Sequence, residues 1–116
     1  MALTGSSPDD RMAQVMSALD DGLQGLELDD DAAEYLRSGC LPEFASLSEE
    51  EWQQSYSDII EVAEDVGEAA AEDANERSRS TVDATGLRES AISILAQRPT
   101  PVCRKILRWL QSNPAS

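Results

Sequence analysis

An all-α fold, a small bundle of about five helices, is what this sequence predicts, and three observations predict it. Apolar residues recur three and four positions apart in several separate segments, the repeat of a helix with one buried face. Those segments are bracketed by Ser, Thr or Asp at their starts and by Gly or Pro at their ends, which are the residues that cap and stop helices. No segment alternates apolar and polar residues in the manner of a strand, and no internal repeat recurs at a fixed period. Leu, Ile, Val and Phe number 23 of 116 residues, near the level below which highly charged chains stay unfolded, but 15 alanines favour helix without requiring a deep core.

The first helix starts with Ser7 as cap, Pro8 in the first turn, and Asp9 and Asp10 at the positive end of the helix dipole. Met12, Val15, Met16, Leu19 and Leu23 form its inner stripe, and Gly22 and Gly25 mark its end. A second, short helix is predicted from Asp30 to Ser38, with Asp29 or Asp30 as cap, Tyr35 and Leu36 inward, and Gly39 as its stop. Residues 40–47 read as a connector whose Leu41, Pro42 and Phe44 lie across the core.

The third helix has the plainest start. Ser48 and Glu51 make a capping box, with Leu47 and Trp52 at the positions of a hydrophobic staple. Trp52, Tyr56, Ile59, Ile60, Ala63 and Val66 give its inner face, which continues only as alanines at 70 and 74. Between Gly67 and Gly86 the one large apolar residue is Val82. Little burial is expected there: helix to Glu76, projecting into solvent, then a loop from Arg77 to Ser80 within a flexible joint spanning 77–86. Leu87, Ala91, Ile94 and Leu95 mark a fourth helix ended by Pro99. Thr100 and Pro101 open a fifth, with Val102, Ile106, Trp109 and Leu110 inward and an end near Ser112.

One domain, 1–116, therefore divides by charge. Residues 1–76 hold 21 acids and two bases, whereas residues 77–116 hold two acids and seven bases. The chain as a whole stands at −14. The basic C-terminal helical pair covers 87–116. Eleven carboxylates lie between positions 49 and 76 with no Lys or Arg among them, so no internal partner is expected for them. Asp58, Glu61, Asp65, Glu68, Glu72 and Glu76 recur every three or four residues and share one helix face, with Glu64 and Asp73 beside it. Like charges at this spacing cost a few tenths of a kcal/mol per pair, which is why ordinary surface helices interleave them with lysine. Fold-back of Arg77, Arg79, Arg104, Lys105 or Arg108 onto this row would supply surface bridges worth ~0–1 kcal/mol each, too few to balance it.

The same composition removes whole classes of chemistry. There is no histidine, and Cys40 and Cys103 are too few for a disulfide framework or a zinc set. They read as buried or free thiols. The twelve residues Asp20–Asp31 fail as a calcium loop, because Gly22 and Gln24 stand where the third and fifth ligands belong. Asp29–Asp31 and Glu49–Glu51 sit at helix starts, where the dipole accounts for them. No catalytic residue, cofactor or metal is expected, and an enzyme using carboxylates alone is the weakest alternative. No span of about 18–20 apolar residues suits a membrane, and Met1–Ser7 lacks a basic region followed by an apolar one, so a cytoplasmic protein is expected. Trp109 beside Arg104, Lys105 and Arg108 has the composition of a nucleic-acid or membrane-surface contact, but it falls on the apolar stripe, and repulsion opposes direct nucleic-acid binding by a chain of pI near 4.1.

The expectation that follows is a non-catalytic, acidic binding protein. Asp58, Glu61, Glu64, Asp65, Glu68, Glu72, Asp73 and Glu76 would meet a basic surface on another protein, imitating a phosphate backbone. In size and charge alone such a chain is similar to small phage anti-restriction and anti-CRISPR inhibitors. The alternatives are a solvated face that keeps the protein soluble, divalent-ion or polyamine binding, adaptation to high salt, and an adaptor, immunity protein or chaperone docking through an apolar face of Leu41, Phe44, Trp52 or Trp109.

Overall fold

The computed structural model describes residues 7–98 and 100–113, and they fold as the predicted small all-α bundle. The elements are α1 (Pro8–Leu23), β1 (Glu27–Leu28), α2 (Asp30–Tyr35), a π-helical turn (Leu36–Cys40), α3 (Leu41–Ala45), α4 (Glu49–Glu76), β2 (Thr81–Val82), α5 (Ala84–Ala96) and α6 (Pro101–Ser112). Because α2, the π turn and α3 follow one another without a break, the described chain contains five helical rods. The long third rod, α4, has 28 residues and spans ~42 Å at ~1.5 Å per residue. It accounts for most of the molecule's 46 Å length.

The N-terminal caps form as local chemistry dictates. Ser7, Asp29, Ser48, Asp83 and Thr100 each accept a backbone N–H from the first turn of the helix that follows. The reciprocal half of the box is also made, since the Ser48 N–H donates to the Glu51 carboxylate at 3.0 Å. That bond holds the Glu51 carboxyl below its ordinary range. Leu47 and Trp52 are both buried beside this cap.

Several expectations require correction. Residues 40–47 are not a connector, because helix continues to Ala45. Gly39 is not a stop: it lies in the π turn, where an added methyl would collide with the Trp109 ring. The wider turn ends just before Pro42, which lacks an N–H and would crowd the carbonyl four residues back in a regular ladder. Tyr56, placed on the inner face by spacing, is 40% exposed and lies edge-on against Trp52 with ring centroids 5.6 Å apart. The fourth helix begins at Ala84, one turn ahead of Leu87, because Asp83 caps it. The expected stop at Pro99 lies outside the described residues.

The stretch of α4 expected to bury little is packed. Ala70, Ala71 and Ala74 are buried, which is possible because α1 and α4 touch backbone to backbone. A methyl group at Gly22 would stand on the Glu64 carbonyl oxygen and 2.9 Å from the Glu68 nitrogen, and one at Gly67 would stand on the Leu19 carbonyl oxygen. At so short a separation alanine reaches across, and larger side chains are unnecessary. Leu23, Ile59, Leu87, Ile106 and Leu110 are the largest fully buried side chains, each contributing roughly 1.5–3 kcal/mol by leaving water.

Residues 77–83 are tied to the body of the fold. After a turn at 77–80, β2 pairs in parallel with β1, Glu27 opposite Thr81 and Leu28 opposite Val82. The Asp29 N–H donates to the Val82 carbonyl at 2.9 Å. The chain thus twice runs helix, two-residue strand, Asp cap, helix, and the two strands lie side by side. No helix among the described residues is long and apolar enough to cross a membrane.

Candidate functional site

One continuous helix carries all eight predicted site carboxylates, and the structure divides them into three on a shared cation, one paired at the helix end and four without an ion pair among the described residues. Asp58, Glu61 and Asp65 converge on a single guanidinium. Arg98, just after α5, donates from Nη1 to Asp58 at 2.8 Å and from Nη2 to Glu61 at 2.7 Å and Asp65 at 2.8 Å. The expectation that the α4 carboxylates have no internal partner is therefore wrong for this half of the row. These three bonds, with Glu61 the largest influence, hold the Arg98 guanidinium still more firmly in its charged form. Asp58 also accepts from the Thr100 hydroxyl at 3.1 Å and from the Cys103 thiol at 3.4 Å. One carboxylate thereby joins α4 to the junction between α5 and α6.

Two further pairs lie at the ends of α4. Glu49 accepts from Arg11 at 3.0 Å, and Asp73 pairs with Arg77 across one helical turn at 3.3 Å. Of the basic side chains considered for fold-back, Arg77 alone pairs with a carboxylate of α4 among the described residues. Arg79 pairs with Asp83 at 2.8 Å, whereas Arg104, Lys105 and Arg108 are exposed on α6 and make no ion pair among the described residues.

What remains unpaired is the C-terminal half of the row. Glu68, Glu72 and Glu76 are exposed, Glu64 is half-buried beside them, and none has an ion-pair partner among the described residues. Successive members of the exposed trio are four residues apart, or ~6 Å along the helix axis. They border a shallow open groove with Gln24, Ala71 and Asn75. The close crossing at Gly22 brings the end of α1 against this part of α4, which is how Gln24 reaches the same groove. Among the described residues no group of three or more His, Cys, Asp or Glu side chains is arranged to hold a metal ion.

Sequence reasoning missed two arginines. Arg11 is 5% exposed; it donates to the Leu47 carbonyl at 2.6 Å and the Ala45 carbonyl at 3.3 Å, and lies over the Trp52 ring at 5.2 Å. It secures α1 to the corner between α3 and α4. Arg98 was legible only as a base near a proline, since its partners are 33 to 40 residues away in sequence. The apolar residues considered for docking are largely consumed by the fold: Leu41, Phe44 and Trp52 are buried, and Trp109 packs on Tyr35 with ring centroids 5.5 Å apart. Both thiols are buried, and burial pushes Cys40 up to about 12, with the nearby Glu43 adding to the rise.

Comparison of the chain with protein-family models, curated proteins and solved structures yields no match.

Proposed function

We propose that this chain is a non-catalytic binding protein that meets a cationic surface on another protein with the acidic C-terminal flank of α4. In its sharpest form it is an inhibitor of the anti-restriction or anti-CRISPR kind, occupying a nucleic-acid-binding surface in place of DNA. The observation that carries this reading is the line of Glu68, Glu72 and Glu76, exposed and without an ion pair among the described residues. A helix that needed only solubility would gain by alternating these acids with bases, and this one forgoes that gain over its last three turns. One DNA strand carries a charge per ~3.4 Å of axis; the row alone supplies one per ~6 Å. Glu64, half-buried beside the row, brings the local density closer to that of the strand. Such a field speeds encounter with a basic partner and repels nucleic acid itself.

The test is capture from a nuclease-treated lysate of the source organism on immobilised full-length chain, with elution by duplex DNA and, separately, by raised salt. The control is the joint variant Glu64→Gln, Glu68→Gln, Glu72→Gln and Glu76→Gln, shown by circular dichroism to be folded. Nucleic-acid-binding proteins should be retained by the native chain, released by DNA and by salt, and lost from the variant. Equal retention by the folded variant, or release by neither treatment, would overturn the proposal.

A further inference from the structure

We infer that the outer edge of β1 and the groove beside it form a second docking site, one that takes an extended segment of a partner protein in which lysine or arginine alternates with aliphatic residues. The groove lies between the end of α1, β1 and α2. Met16, Leu26, Leu28 and Ala33 line it, all half-buried, while Asp20 and Glu27 are exposed on its rim with Arg37 as the one cation among the lining residues.

Backbone geometry favours a strand as the occupant. The Asp29 N–H points inward to the Val82 carbonyl at 2.9 Å. Neighbouring residues of a strand direct their N–H and C=O groups to opposite edges, so the Leu28 N–H and C=O face away from β2. Four consecutive residues, Gly25, Leu26, Glu27 and Leu28, line the groove. A segment added there would take up the backbone pair of Leu28, set alternate side chains on the apolar floor and turn the others to the rim, which is how strand addition combines affinity with selectivity.

Charge selects among extended segments. Between positions 20 and 34 the chain has seven acids and no base; Asp20 and Glu27 are exposed at the groove itself, and Asp21, Asp30 and Asp31 are exposed on the elements that flank it. A polyanionic segment is repelled, and a purely polar cationic one leaves the apolar floor in water.

The probe is a short acetylated and amidated peptide alternating lysine and valine, titrated into the isotopically labelled full-length chain and followed by amide NMR. Peptides alternating lysine with serine and glutamate with valine serve as controls. The lysine–valine peptide should shift the Leu28 amide and the Met16 methyl saturably and slow exchange of the Leu28 amide, while each control binds at least about tenfold more weakly. Leu28→Pro removes the outward N–H without touching the Asp29–Val82 bond, and should weaken binding about tenfold, the scale of one hydrogen bond. Should that variant not fold, Met16→Gln, which makes the floor polar, should weaken binding several-fold while the lysine–serine control is unaffected.

Equal binding of the lysine–serine peptide, no change at Leu28, or full affinity in folded Leu28→Pro or Met16→Gln would overturn the inference. Shifts confined to 64–76 on α4 would do the same, while leaving the α4 proposal intact.

Discussion

Two arginines do work in this fold that their neighbours in sequence do not reveal. Arg98 gathers Asp58, Glu61 and Asp65, and its side chain is 23% exposed. Arg98→Ala should lower stability by about 1–2 kcal/mol in urea unfolding, the range for charged hydrogen bonds reduced for exposure of the partners. A change within the error of the measurement would show the cluster to be ornamental. Arg98→Lys should recover only part of the loss, because a compact ammonium does not reproduce the planar fork that serves three carboxylates. The buried thiols give a pH dependence. Burial raises both Cys40 and Cys103, and burial likewise raises Tyr35. An acid raised by folding favours the native state below its unfolded value and loses that contribution as pH climbs through the folded one. The thermal midpoint should therefore fall above about pH 9, the ordinary thiol value, and the fall should be shallower in Cys40→Ala. A midpoint unchanged up to pH 10.5, or a slope untouched by the substitution, would contradict this.

At the scale of elements, helix boundaries and helix contacts have different origins. The caps at Ser7, Ser48 and Thr100 were legible because each is settled within four residues of chain, and the capping box placed the start of α4 correctly. Glycine was misread where its role is set by a distant neighbour. Gly39 resembles a stop in sequence, yet the ring of Trp109 occupies the space its side chain would need. Gly22 and Gly67 mark a contact between two helices, a property of the pair that neither segment carries alone. These readings predict an ordered series. Gly22→Ala and Gly67→Ala set a methyl against backbone that has nowhere to go and should each cost about 3 kcal/mol, despite alanine's better helix propensity. Gly39→Ala meets a half-buried side chain that can swing aside, so its cost should be smaller, about 1–2 kcal/mol. Chemical denaturation of the three variants checks the order. A stabilised Gly67→Ala would show that the backbones of α1 and α4 are not in contact.

For the whole molecule, the uneven charge of the sequence becomes a division along α4. The acidic row was legible as periodicity, and a continuous helix from Glu49 to Glu76 does put it on one face. Its partial neutralisation was not legible, because pairing of Arg98 with residues 33 to 40 positions earlier depends on how α5 returns along α4. Parallel pairing of β1 with β2 sets where that return begins. The half of α4 beside the α5–α6 junction is thus braced by an internal cation, and in the half beside the end of α1 Glu64, Glu68, Glu72 and Glu76 have no ion-pair partner among the described residues.

Amide NMR of the labelled chain titrated with decalysine at low salt tests that division directly. Shifts should concentrate on Glu64–Glu76 and the adjoining end of α1, vanish on adding salt, and extend to Asp58–Asp65 only when Arg98 is replaced by alanine. Shifts centred on Asp58–Asp65 in the native chain, or spread evenly over every acidic residue, would contradict the account.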